Sequence, residues 1–155
     1  MKRTFATIAL TAALLLTIGA GSSFALPHTT LPVSGRDNIT ASFKKNFRNA
    51  ELLSTDIGKD YTRLSFKMNG MILSAYYSDN GELLAITHNI QSTQLPLQLL
   101  MQVKRNYASY WISDLFEYNA NGSSTYFLTL ENANSKITLR SNDGDWETYN
   151  KTSKQ

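Results

Sequence analysis

The chain has 155 residues, a formal charge of +3 and no cysteine, which excludes disulfides, thiolate nucleophiles and every cysteine-based metal site. Two of its positive charges, Lys2 and Arg3, belong to an N-terminal segment with the pattern of an export signal; without it the charge is about +1, too weak a field for a protein whose main partner is nucleic acid. The roughly 130 residues that remain are enough for one compact domain with its own core.

Lys2-Arg3, an apolar run from about Phe5 to Ile18 and the ending Ser23-Phe24-Ala25 form the three parts of a secretory signal, and cleavage is predicted after Ala25. Thr7, Thr11, Thr17 and the glycines make the run short and mild for a spanning helix. No later segment approaches such a length, and no cysteine follows to carry a lipid. A periplasmic or secreted protein is expected, with no membrane attachment after cleavage. Residues 26–37, LPHTTLPVSGRD, lack periodicity and read as a flexible leader.

Order is expected over residues 38–150. Asn38 is a candidate cap for a helix from Ile39 to about Phe47, because Ile39, Phe43 and Phe47 recur every fourth residue on one face. Alternating segments follow around 51–58, 61–68, 71–77 and 82–90, separated by Gly58-Lys59-Asp60, Asn69-Gly70 and Asp79-Asn80-Gly81. The loop Asp79-Asn80-Gly81-Glu82 offers carboxylates for a metal or for acid–base work. Its Asn-Gly pair between apolar runs instead predicts a type I′ hairpin with positive φ at both residues. A second helix is expected from Pro96, which costs no hydrogen bond in a first turn, to about Tyr107. Strands at 110–118, 124–131, 136–140 and 145–149 follow, and 151–155 form a tail.

The halves, about 38–90 and 95–150, also match in letters. "KKNF" at 44–47 returns as "KRNY" at 104–107, and "SDNGE" at 78–82 returns as "SNDGD" at 141–145. The expected fold is therefore α+β: a tandem repeat of a helix plus a four-stranded antiparallel meander, with the helices packed on one face of the sheet. Leu64, Phe66 and Met68 should face the helices while Tyr61, Arg63, Ser65 and Lys67 stay wet; in the second half Tyr126, Leu128 and Leu130 point inward. The alternation in 71–77 fits either face, since Leu73, Ala75 and Tyr77 compete with Ile72 and Tyr76.

The helix "ASFKKNFRNAE", the run "YTRLSFKMNGMILSAYYSDNGELLAIT", the bridge into "LPLQLLMQVKRNYASYWI" and the closing Asp-Gly hairpin together resemble the PepSY-like, β-lactamase-inhibitor-like family of exported bacterial proteins. The likeness spans about residues 38–150. It implies a tandem αβ repeat whose sheet presents a concave surface to another protein, in a binding or inhibitory module without catalytic residues. The sequence departs from that pattern at "ASYWI" and at "ENANSK", a turn without glycine.

The residues themselves offer little for catalysis. A nucleophile needs a base within reach, and the only histidines are His28, in the leader, and His88, alternating with Leu84 and Ile86 at a strand end. Neither acidic loop has the ligand spacing of a calcium site, so no metal and no cofactor are expected. The triplets at Asn38, Asn121 and Asn150 match a glycosylation pattern and read as asparagine-rich turns. Aromatics make the better case, because Tyr and Trp combine rigid contact area with a polar handle. Those alternating with polar neighbours nominate Tyr61, Arg63, Lys67, Tyr76, Arg140 and Trp146 as a binding face. The expected function is a non-enzymatic exported module that engages a protein or peptide of the cell envelope, with inhibition as one use. The alternative is a small-ligand or glycan carrier with a pocket between helices and sheet.

Overall fold

A computed structural model of the protein describes residues 33–154, with side-chain surroundings from Gly35 onward. The predicted signal and most of the leader lie outside the described residues. In chain order the elements are α1 (Val33–Asn46), β1 (Glu51–Ile57), β2 (Thr62–Met68), β3 (Met71–Tyr77), β4 (Leu83–Asn89), a 3-10 turn (Ser92–Gln94), α2 (Leu97–Asn106), β5 (Trp111–Ala120), β6 (Ser123–Glu131), β7 (Ser135–Asn142) and β8 (Asp145–Ser153).

The expected α+β tandem of two four-stranded units is corrected by the sheet. All eight strands form one antiparallel sheet in the order β1 to β8, and the fold is mostly β with two short helices. The joint is the β4–β5 pair, where Ile86, Thr87, His88 and Asn89 lie opposite Asn119, Tyr118, Glu117 and Phe116. Pairing there satisfies backbone groups that separate units would leave as two edges. Turn punctuation in a sequence marks where strands end, and carries no information about which distant strand supplies the next ladder.

Both helices cover the same face. Strand alternation and register place Leu64, Phe66, Leu73, Ala75 and Tyr77 under α1, where they pack with Ile39, Phe43 and Phe47. Phe66 is fully buried, with its ring centroid 5.1 Å from Phe43 and 4.5 Å from Phe47. The row Leu73, His88, Glu117, Tyr126 continues that face across the joint. Beyond it Leu115, Leu128, Leu130, Ile137 and Leu139 pack with Leu95 and Val103 beside α2. The ambiguous segment 71–77 is thereby resolved, with Leu73, Ala75 and Tyr77 inward and Tyr76 on the open face.

Three local expectations shift. Helix α1 begins at Val33, inside the stretch read as leader, so Asn38 sits within the helix instead of capping it. Strand β8 extends to Ser153, past the expected end of the domain. The 79–82 loop is also built differently from a type I′ turn. Gly81 alone has positive φ, +80°; its N–H donates to the Ser78 carbonyl at 2.9 Å, and the Ser78 N–H donates to the Glu82 carbonyl at 2.9 Å. That is a three-residue hairpin loop closed by a glycine bulge. The type I′ pattern of two positive φ values occurs instead at Asn69-Gly70, Asn121-Gly122 and Asp143-Gly144.

The turn without glycine, at 132–135, is held by a side chain. Asn132 Oδ1 accepts from the N–H groups of Asn134 and Ser135 at 2.9 and 2.8 Å, an asparagine turn that needs no left-handed residue.

Candidate functional site

The face opposite the helices carries two patches of side chains. The first lies on β2 and β3. Arg63 donates from Nε and Nη2 to Asp56 Oδ2 at 3.2 and 2.9 Å, and it sits opposite Tyr76 in the register. The hydrogen bond to Asp56 raises the already high pKa of the guanidinium, so its charge is permanent. Tyr61, just before β2, lies 5.5 Å from Tyr76 between ring centroids. Lys67, exposed near the far end of β2, lies opposite Glu51 and Ile72.

The second patch is aromatic and spans β5, β6 and β8. Phe116 stacks on Phe127 with centroids 5.1 Å apart and planes within 9°. Tyr118 meets Phe127 edge-on at 6.3 Å, and Tyr149 meets it at 5.6 Å and 90°. Such offset and edge-to-face contacts match the ring quadrupoles and rigidify the group. Phe127 pairs with Arg140, whose Nη2 donates to Glu147 Oε2 at 3.2 Å. Hydrogen bonds from Asn142 and then Arg140 hold the Glu147 carboxyl below its ordinary pKa. Between the patches runs a row of small polar residues, Ser65, Ser74 and Thr87, with Ser65 and Ser74 hydroxyls 3.1 Å apart.

Five of the six nominated residues, Tyr61, Arg63, Lys67, Tyr76 and Arg140, therefore share the open face. They do not form one cluster. Arg63 on β2 and Arg140 on β7 are separated by five strand spacings, roughly 24 Å. Trp146 lies on the helix side: its indole Nε1–H donates to the Leu99 carbonyl at 3.0 Å, and it packs against the second core. The centre of the second patch, Phe127, was not nominated. Its signal is present in the sequence, because the alternation that sends Tyr126 and Leu128 inward sends Phe127 outward.

On the helix side, His88 Nε2 lies 3.7 Å from Glu117 Oε2, in the seam between the two cores. Burial, followed by the nearby Glu117 charge, raises the pKa of Tyr126 in the same row. No group of three or more metal-ligating side chains occurs among the described residues. Two grooves indent the surface. One, of about 490 Å³, is lined by residues 89–93 and 112–115; the other, of about 500 Å³, lies between the start of α2 and the ends of β6 and β7 and is lined by Gln98, Ser124, Tyr126 and Asn142 among others.

This geometry has close counterparts among solved structures. A BLIP-like protein from Bacteroides fragilis superposes with a TM-score of 0.65 at 18% identity, covering 81% of this chain and 89% of its own. The chain has the fold of the BLIP-like proteins. A structure from Bacteroides eggerthii described as "putative periplasmic proteins" matches with a TM-score of 0.66 at 12% identity, over 76% of this chain and 87% of that one. A DUF2874 family protein from Bacteroides uniformis matches with a TM-score of 0.65 at 12% identity, over 75% and 87%. No family model matches the sequence, and neither does any curated protein. The resemblance to β-lactamase-inhibitor-like proteins thus holds at the level of fold. Among the described residues no helix is long and apolar enough to cross a membrane.

Proposed function

We propose that the protein is an exported, non-catalytic binding module whose open sheet face docks a protein of the cell envelope and obstructs it. The observation that carries this reading is the ring cluster of Phe116, Tyr118, Phe127 and Tyr149 on the face that neither helix covers. Tyr149 remains 46% exposed beside Phe127, and partly exposed aromatic rings held rigid in this way are the kind of anchor that dominates the energetics of protein interfaces. The ion pair Arg140–Glu147 lies beside the rings and Arg63–Asp56 lies in the other patch of the same face, and both are solvent-exposed. Exposed pairs of this kind are worth about 0–1 kcal/mol each, so a partner can exchange them at little cost. Export is supported by the signal-like N-terminus, and the protein-binding role by the fold shared with a BLIP-like protein. Neither of these two grooves is enclosed, which favours the sheet face over the small-ligand alternative.

The test is affinity capture from envelope extracts, followed by titration of the purified captured protein against the wild type and a Phe127→Ser/Tyr149→Ser variant. Loss of an aromatic anchor costs about 2 kcal/mol or more, so binding should weaken at least about thirtyfold. Undiminished binding by a folded double variant, with loss instead on substitution of Lys104 and Arg105 of α2, would move the interface to the helix side and sink the reading.

A further inference from the structure

The two layers of the fold differ in charge. Of the twelve acidic residues in the chain only Asp37 lies on a helix, whereas the sheet and its loops carry the other eleven with seven Lys and Arg. The helix layer carries exposed Lys44 and Lys45 at the end of α1, Arg48 just after it, and Lys104 and Arg105 at the end of α2. None of these five has an ion-pair partner among the described residues. The helix dipole favours cations in a last turn. It gives no account of the side chains that stand beside them on α2.

Helix α2 buries Leu99 and Val103 against the sheet. At about 100° per residue, Leu97, Met101, Lys104 and Arg105 fall on the opposite side. Leu97 is 73% exposed and Met101 57%, so the outward stripe pairs two apolar side chains, four residues apart, with two cations. Asp145, the carboxylate that α2 itself contacts, is held by half-buried Gln102 at 2.8 Å on the flank of the helix.

We infer that the outer face of α2 is a peripheral membrane contact, which lies on the headgroups of an anionic phospholipid leaflet with Leu97 and Met101 entering the acyl boundary. The pairing of charge with apolar surface selects this occupant. Cations alone suit any polyanion, but exposed Leu and Met in the same stripe gain only where phosphates adjoin hydrocarbon, which is a bilayer surface. No described helix is long and apolar enough to cross, so the contact is peripheral. It revises the sequence expectation of no membrane attachment. The helices lie over strands four spacings apart, roughly 19 Å, beyond the Debye length of about 8 Å at physiological ionic strength. Helix α2 therefore makes the contact, and α1 adds attraction chiefly at low salt. The aromatic patch lies on the other side of the sheet and stays free, and the inference does not depend on its binding a protein.

The test is vesicle co-sedimentation of the chain from residue 26 onward, without the signal-like segment that would itself enter a bilayer. The wild type should bind vesicles of equal parts phosphatidylglycerol and phosphatidylcholine, bind pure phosphatidylcholine far more weakly, and lose affinity as sodium chloride is raised. Each Lys or Arg at an anionic leaflet strengthens binding about fivefold, so Lys104→Gln/Arg105→Gln should weaken it at least about tenfold. Leu97→Gln/Met101→Gln should weaken it at least about fivefold at unchanged charge. Circular dichroism spectra of both variants should match the wild type, since all four positions are exposed. Phe127→Ser/Tyr149→Ser, on the open face, should bind vesicles as the wild type does. Absence of binding to the anionic vesicles, equal binding to both compositions, or a loss with the open-face variant as large as with either helix variant would overturn the inference. So would undiminished affinity of Leu97→Gln/Met101→Gln, which would make the face a site for soluble polyanions.

Discussion

The indole of Trp146 on β8 donates to the backbone carbonyl of Leu99 in α2 across 3.0 Å, so the last hairpin holds the second helix down. Gln102 completes the clamp from the helix side, with Nε2 donating to the Gly144 carbonyl at 3.0 Å and to Asp145 Oδ1 at 2.8 Å. Trp146→Phe keeps the ring and removes the donor. It should lower the unfolding free energy by about 1 kcal/mol in urea titrations, the net worth of a neutral hydrogen bond. Amide exchange in α2 should accelerate with it.

Phe66 is the residue on which the first core turns, since Phe43 of α1 and Phe47 just after it both rest on it. Phe66→Ala should cost about 3–5 kcal/mol, the range for emptying an aromatic site in a core that relaxes incompletely. Chemical denaturation would show it as a large fall in midpoint. Ile72→Ala on the neighbouring strand, at 65% exposure, should move the midpoint little.

Gly81 and Gly70 share a φ of +80° but differ in what surrounds them. A Cβ at Gly81 would lie 2.9 Å from the Asn38 backbone in α1, whereas a Cβ at Gly70 meets nothing within 4 Å. Gly70→Ala should cost about 1–2 kcal/mol, the left-handed penalty alone. Gly81→Ala should cost clearly more, because helix and turn must also part. A thermal melt of the two variants side by side distinguishes them.

Glu131 receives Lys154 Nζ at 2.7 Å and lies 3.4 Å from Lys136 Nζ. Hydrogen bonds, from Lys154 first and Ser113 second, lower its pKa from the ordinary 4.5 to about 2. A depressed carboxyl pKa means that its contribution to stability is complete above the ordinary carboxylate value and is lost as pH falls through about 2. Carboxyl titration by NMR should find Glu131 the most acidic of the glutamates, and Lys154→Ala should shift it upward. An unchanged titration in that variant would contradict the assignment.

How much of the site was legible follows from these particulars. Tyr61, Arg63 and Lys67 were assigned to the wet face by a period of two, and they lie there; Tyr76 was nominated although 71–77 fitted either face, and only the β2–β3 register put it opposite Arg63. Trp146 also alternates with polar residues, yet it lies on the helix side. The period gives two faces without saying which is covered when a strand is polar throughout, and in β8 only Trp146 has a helix carbonyl to meet. The ring cluster was hidden for a related reason. Phe116, Phe127 and Tyr149 come from three different strands, and only the β5–β6, β6–β7 and β7–β8 registers together bring them close.

By itself the sequence determined what short-range physics controls: alternating strands, helices with apolar residues every fourth position, hairpins at Asn-Gly and Asp-Gly pairs, and a cysteine-free core. Backbone preferences and side-chain periodicity act over a few residues, so they are written locally. Only the tertiary structure decided that β4 and β5 zip the strands into one sheet, that the Gly81 turn closes against Asn38, that Trp146 serves α2, and that Phe127 gathers three rings on the open face. Each of these is a contact between residues far apart in the chain. Such contacts form because burial and backbone pairing reward them collectively, and no single segment records its partner.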